Sequence, residues 1–170
     1  MVGIFVFEGQ RVRFKTPNTT KMNYDTYELT QGSTVMEFTF ESIGPKGKFK
    51  KLIQFNETQV ENIYNLAFGD YDQQTHDIDD GVRTNNSDMV KVLATVAEAV
   101  HKFTTQYPGC LVFFRGSSES RTRLYRIAIS RNYAELSHGF KIFGYINGQA
   151  VPFYPTRQFD GFIVQRRLNL

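Results

Sequence analysis

The sequence predicts an α+β fold: antiparallel β-sheet packed by one long helix over about 87–107 and a second over about 120–131. Three observations predict it. Residues 35–43 (VMEFTFESI) alternate apolar and polar with period two, the mark of a half-buried antiparallel strand. Residues 89–107 place Met89, Val92, Leu93, Val96, Ala97, Val100, Phe103 and Tyr107 at three- and four-residue spacing, the mark of an amphipathic helix. Glycine, proline and asparagine clusters punctuate the rest at hairpin intervals.

The chain has 170 residues, enough for one domain with a sizeable core. It is 41% hydrophobic and 22% charged, which excludes wholesale disorder. No apolar run approaches the roughly 20 residues that span a bilayer, so no membrane role is expected. A single cysteine excludes a disulfide framework and a cysteine zinc cluster. With no basic leader and no small-residue cleavage site, the expected location is the cytoplasm.

The elements follow in order. Residues 1–21 end in a polar Thr-Pro-Asn-Thr-Thr-Lys stretch and read as a leader or extra segment, with Met22 a candidate true start; the other reading is an added hairpin through Ile4, Val6 and Arg11–Phe14. The aromatics of Tyr24–Leu29 suggest a strand. After Val35–Ile43, Gly44-Pro45-Lys46-Gly47 is turn chemistry. Lys48–Phe55 returns as the partner strand, with Phe49, Ile53 and Phe55 on one side. Ile63–Tyr71 is the next strand, residues 72–76 a polar tip, and Asp77–Thr84 a returning arm. Asn85-Asn86-Ser87-Asp88 offers N-cap residues to the long helix, and Tyr107-Pro108-Gly109 stops it.

Cys110–Phe114 is a short buried strand, and Gly116–Ser120 a small-residue loop. Arg121–Arg131 as a strand carries Arg121, Arg123, Tyr125, Ile127 and Ile129 on one face. As a helix it groups Leu124, Tyr125, Ile127, Ala128 and Arg131, with Thr122, Arg123, Arg126 and Ser130 facing away. The serine-rich start favours the helix. Asn132–His138 adds a short helical turn. Lys141–Ile146, an Asn147-Gly148 hairpin turn, Gln149–Tyr154 and Gly161–Arg166 close the chain as strands.

Several stretches resemble an uncharacterised family of small hypothetical proteins found mainly in Bacteroidetes. They are GPKGK at 44–48, NLAFGDYD at 65–72, DIDD at 77–80, TNNSDMVKVLATVAEAV at 84–100, YP at 107–108 and GSSESRTRLYRIAIS at 116–130. The resemblance implies a bacterial protein and a grouping, and no activity. Where members of that family tend to have glycine at the hairpin tip, this chain has His76.

Charge is segregated along the chain. Residues 61–90 hold 1 basic and 7 acidic residues, and residues 91–170 hold 11 and 4. The overall charge of +3 equals that of residues 1–21 alone, so the remainder is neutral. Any anionic partner must therefore be recognised locally. The expected anion contacts are Arg115, Gly116, Ser117, Ser118, Arg121, Arg123 and Arg126, because a glycine–serine loop at a helix start presents free N–H groups beside fork-shaped guanidinium donors. Lys48, Lys50 and Lys51 form an auxiliary basic patch. Against this, Arg121 falls in the middle of the apolar arc of its helix, so an ion pair with the 70–80 acidic segment explains the same residues.

Other chemistry has weaker support. Asp70, Asp72, Asp77 and Asp79, with His76 and Asp80, are weak candidates for a divalent metal. They lack EF-hand spacing, and a polar hairpin explains them equally well. Cys110 starts an apolar strand and reads as a small hydrophobe. No spacing joins it to His76, His101 or His138, and no P-loop, nucleophile elbow or HExxH occurs. No catalytic residue and no cofactor is assigned.

The expected function is binding of an anionic partner, nucleic acid or a nucleotide phosphate. The alternatives are a protein–protein interaction component of the toxin–antitoxin or phage-conflict type, and a metal-dependent enzyme acting on a phosphorylated substrate.

Overall fold

The computed structural model describes residues 24–79 and 85–168. The expected leader (1–21), Asp80 and the end of the returning arm lie outside the described residues. Twelve elements are present among them. The first half holds β1 (Thr30–Gln31), β2 (Glu37–Gly44), β3 (Gly47–Glu57), β4 (Ile63–Asp72) and β5 (Asp77–Asp79). The long helix α1 (Met89–Gln106) and β6 (Leu111–Phe114) follow. Then come α2 (Glu119–Arg131), α3 (Tyr133–Gly139), β7 (Phe140–Ile146), β8 (Gln149–Pro152) and β9 (Gly161–Arg166).

The strands form one sheet in the order β1-β2-β3-β4-β6-β9-β7-β8, with β5 paired to β4. The expected α+β class holds. One pairing departs from the antiparallel expectation: β4 and β6 run parallel, Ile63 opposite Leu111. Such a pair needs a long crossover, and α1 lies within it. The last strand of the chain, β9, inserts between β6 and β7.

Local chemistry accounts for the turns. Gly44 pairs with Gly47 across Pro45-Lys46, and Gly47 has φ +114°. Asn147 and Gly148 both take positive φ, 49° and 80°, as a tight hairpin with strand-matching twist requires. His76 has φ 56°, so the tip needs a left-handed residue, the conformation glycine adopts most readily.

The core lies between the sheet and the helices. Phe38 and Phe40 of β2 are buried with Ile53 and Phe55 of β3, as the alternation predicts. From α1, Val92, Val96, Val100 and Phe103 pack down on them. The Phe103 ring stacks on Phe55 at 4.0 Å between centroids and meets Tyr64 edge-on at 5.0 Å.

Three local expectations are corrected. Tyr24–Leu29 is not a strand; only Thr30–Gln31 pairs with β2. Its aromatics serve packing instead: Tyr27 is buried, stacks on Phe40, and its N–H donates to Thr95 Oγ1 at 2.9 Å. Asp88 occupies the N-cap position of α1 but caps no backbone N–H. Its carboxylate accepts from Tyr27 Oη at 2.7 Å and Ser42 Oγ at 2.6 Å. In α2 the buried side chains are Thr122 and Ile129, while Leu124 is 44% exposed. Thr122 is inside because its hydroxyl accepts from the Gly116 N–H and donates to the Ser118 carbonyl, which a wheel counting only hydropathy misses.

A histidine on α1 makes stability pH-dependent. Burial holds His101 below its ordinary 6.5, with Arg166 and Lys102 adding repulsion and Glu98 opposing them. Its ring meets Phe140 edge-on at 6.5 Å. The unfolded chain therefore takes up a proton at higher pH than the folded one, and stability is lost as pH falls from 6.5 through the lowered value. Urea midpoints measured between pH 7.5 and 5 should decline in the parent and decline less in His101→Gln. Equal slopes would contradict this account.

Candidate functional site

The expected anion site is largely engaged with itself. Ser118 is the N-cap of α2, its Oγ accepting from the Arg121 N–H at 3.3 Å. Arg121 Nη1 donates to Ser117 Oγ at 2.9 Å, which resolves its place in the apolar arc: it folds back to the loop at the helix start. Arg126 Nη1 donates to the Pro155 carbonyl at 2.6 Å, and the Gly116 N–H is taken by Thr122. Gly116 is tightly seated, since a Cβ there would stand 2.4 Å from the Thr122 nitrogen. Arg115 and Arg123 are exposed. The two ion pairs among the described residues are Lys51–Asp70 and Lys102–Glu98, so neither joins these arginines to the acidic hairpin.

The lysines do not form one patch. Lys48 and Lys50 are exposed on one face of β3, and Lys50 Nζ sits 4.4 Å over the Tyr71 ring. Lys51 points to the other face, is 7% exposed, and bonds the Asp70 carboxylate directly across the strand pair.

The acidic residues face one another across β4 and β5, Asp70 opposite Asp79 and Asp72 opposite Asp77, but each is engaged separately. Asp70 is held by Lys51. Asp72 Oδ1 accepts from the Gln74 N–H at 2.7 Å, which holds its carboxyl below the usual range. Asp77 Oδ1 accepts from the Ile78 N–H at 2.7 Å. Asp79 is also engaged. Among the described residues no group of three or more histidine, cysteine, aspartate or glutamate side chains is placed to hold a metal. Cys110 is 3% exposed, and burial pushes its thiol up, away from the reactive thiolate.

The feature that periodicity did not reveal is a cavity of about 390 Å³ between α1 and α2, above the sheet. Leu93, Val96, Ala97 and Val100 of α1 form one wall. Leu124, Tyr125 and Ala128 of α2 form the other. Leu66 and Phe68 of β4, Phe114 of β6, Val164 of β9 and Ile142 of β7 floor it, so it spans four adjacent strands. Tyr125 is braced against Phe68 and Phe114 at centroid distances of 5.7 and 6.2 Å. Burial pushes its hydroxyl up to about 12, so it remains a neutral donor across the physiological range.

Alanines at 94, 97 and 128 on the facing walls keep the space open. Tyr24, Met89, Val90 and Leu124 line the cavity and are each 40% exposed or more, which marks its mouth. The sequence signal was the apolar arc of α2: Leu124, Tyr125, Ile127, Ala128 and Arg131, grouped by the helical wheel, all line the cavity.

Fold and site together define a single-sheet α+β protein whose helices enclose an apolar pocket. The chain belongs to a family of unknown function, DUF6934, whose model matches residues 23–167. No curated protein matches the chain. No solved structure matches it. No helix among the described residues is long and apolar enough to cross a membrane.

Proposed function

We propose that the protein binds a small apolar molecule or the apolar part of one in the pocket between α1 and α2. The observation that carries this reading is the pocket itself. Its volume falls within the roughly 300–1,000 Å³ of small-molecule sites, and its walls are almost wholly hydrocarbon. The mouth is open to water, but water inside meets walls that offer few hydrogen-bond partners. An apolar occupant avoids that mismatch and covers the apolar walls.

The test uses a neutral reporter. Nile red should bind saturably with enhanced fluorescence, and decan-1-ol should displace it. Absence of saturable binding overturns the reading.

A second reading, an anionic partner such as nucleic acid or a nucleotide, keeps Arg115 and Arg123 as contacts. Both are exposed, and neither is in an ion pair among the described residues. It ranks lower because Ser118, Arg126 and the Gly116 N–H are spent inside the fold. Binding that weakens steeply with salt and with Arg123→Ala supports it. A cytoplasmic, bacterial setting suits either reading.

A further inference from the structure

The pocket is apolar but not uniformly so: among the described residues one charged side chain, that of Arg131, lines it. We infer that the ligand is an amphiphile with a hydrocarbon chain and an anionic head, the head held by Arg131. This rests on the pocket-binding reading and specifies its ligand class.

Arg131 is the last residue of α2 and lines the cavity. It is exposed, so its side chain is open to water. Its side chain makes no hydrogen bond and no ion pair among the described residues, unlike Arg121, Arg126, Arg166 and Arg167. Among the described residues no aspartate or glutamate lines the cavity. A cationic head would therefore meet repulsion, and a neutral head could accept a hydrogen bond but would gain no charge pairing. An anionic head accepts from it in charge-assisted, bidentate geometry. Asn132 stands beside Arg131 on the lining. Its Nδ2 is committed to the Ala128 carbonyl at 2.7 Å, which fixes the amide at the end of the helix.

The hydrocarbon part fits the remaining lining. An arginine side chain suits such a border, since its methylene stem can cover apolar surface while its head stays in water. The exposed rim residues Met89, Val90 and Leu124 give a chain an entry route without opening the sheet.

Three probes separate the terms, each titrated into the full-length chain: decanoate, decan-1-ol and decyltrimethylammonium, the alkyl chain of decanoate being one methylene shorter, which works against the expected order. Decanoate should bind about tenfold more tightly than decan-1-ol, and the cation most weakly. In Arg131→Gln the decanoate advantage should vanish while decan-1-ol affinity holds, which shows that the variant is folded with its pocket intact. Equal affinity for the three probes, or an unchanged decanoate advantage in Arg131→Gln, overturns the inference and leaves the pocket reading standing. Binding of none of them overturns both. A self-associated protein that excludes all three, seen by sedimentation, assigns the rim to a second copy of the chain and also overturns both.

Discussion

Asn86→Ala is expected to lower stability by about 3 kcal/mol, the effect of removing a buried amide and stranding its partners. Asn86 is 2% exposed. Its Nδ2 donates to Ser42 Oγ at 3.2 Å and to the Gly47 carbonyl at 3.0 Å. Its Oδ1 accepts from the Lys46 N–H at 3.0 Å. One side chain thus closes the β2–β3 hairpin from outside. Through Ser42 it also reaches Asp88 and Tyr27, which tie the chain before β1 to the start of α1. The seat is tight, because a Cβ on Gly44 would stand 2.1 Å from the Asn86 carbonyl.

Urea denaturation checks this, with a lower midpoint and an unchanged slope. Asn85→Ala is the control. That residue is exposed and, among the described residues, accepts a single 3.3 Å bond from the Ser87 N–H, so it should change stability by no more than about 0.5 kcal/mol. Equal effects at 85 and 86 would contradict the role given to the buried Asn86 side chain.

The second large effect has the opposite sign. Ala97→Leu with Ala128→Leu should stabilise the unliganded protein by about 2 kcal/mol while abolishing probe binding. Both alanines line the pocket, on facing helices. Each added methylene that fills the space is worth about 0.8 kcal/mol, discounted for strain and for the open mouth. Melting should rise by roughly 4–8 °C for a chain of this size. In a well-packed core the same changes overpack and destabilise, by about 1–3 kcal/mol each. The sign of the shift therefore reports whether the space is real.

Legibility followed the range of the interactions. The long helix, the β2–β3 hairpin and the Asn147-Gly148 turn were readable because periodicity and turn chemistry are local. The N-terminal stretch was misread because Tyr27 has the aromatic character of a strand residue, yet spends it on Phe40 and α1. The place of β9 inside the sheet, between β6 and β7, was not readable, since no local signal states which strands lie beside it.

The anion loop was read as open, but Ser118 and Thr122 are ambiguous letters. The same hydroxyls that suit a phosphate also suit a helix cap and a loop clasp. Asn85 and Asn86 look alike in sequence, and only burial separates them. The pocket was hidden because its walls come from residues some 30 apart in the chain and its floor from four strands. Arg131 was grouped with the apolar side of α2, and that grouping was the trace of it.

The central claim is that the space between α1 and α2 takes a hydrocarbon ligand. Methyl-resolved NMR during a decan-1-ol titration tests it most directly. The account predicts saturable shifts at the methyls of Val96, Ala97, Leu124 and Ala128, with Ile43, Val60 and Leu168 unmoved, although these last three are exposed apolar residues open to any nonspecific binder. Shifts spread over the exposed residues with the pocket methyls unchanged would contradict it.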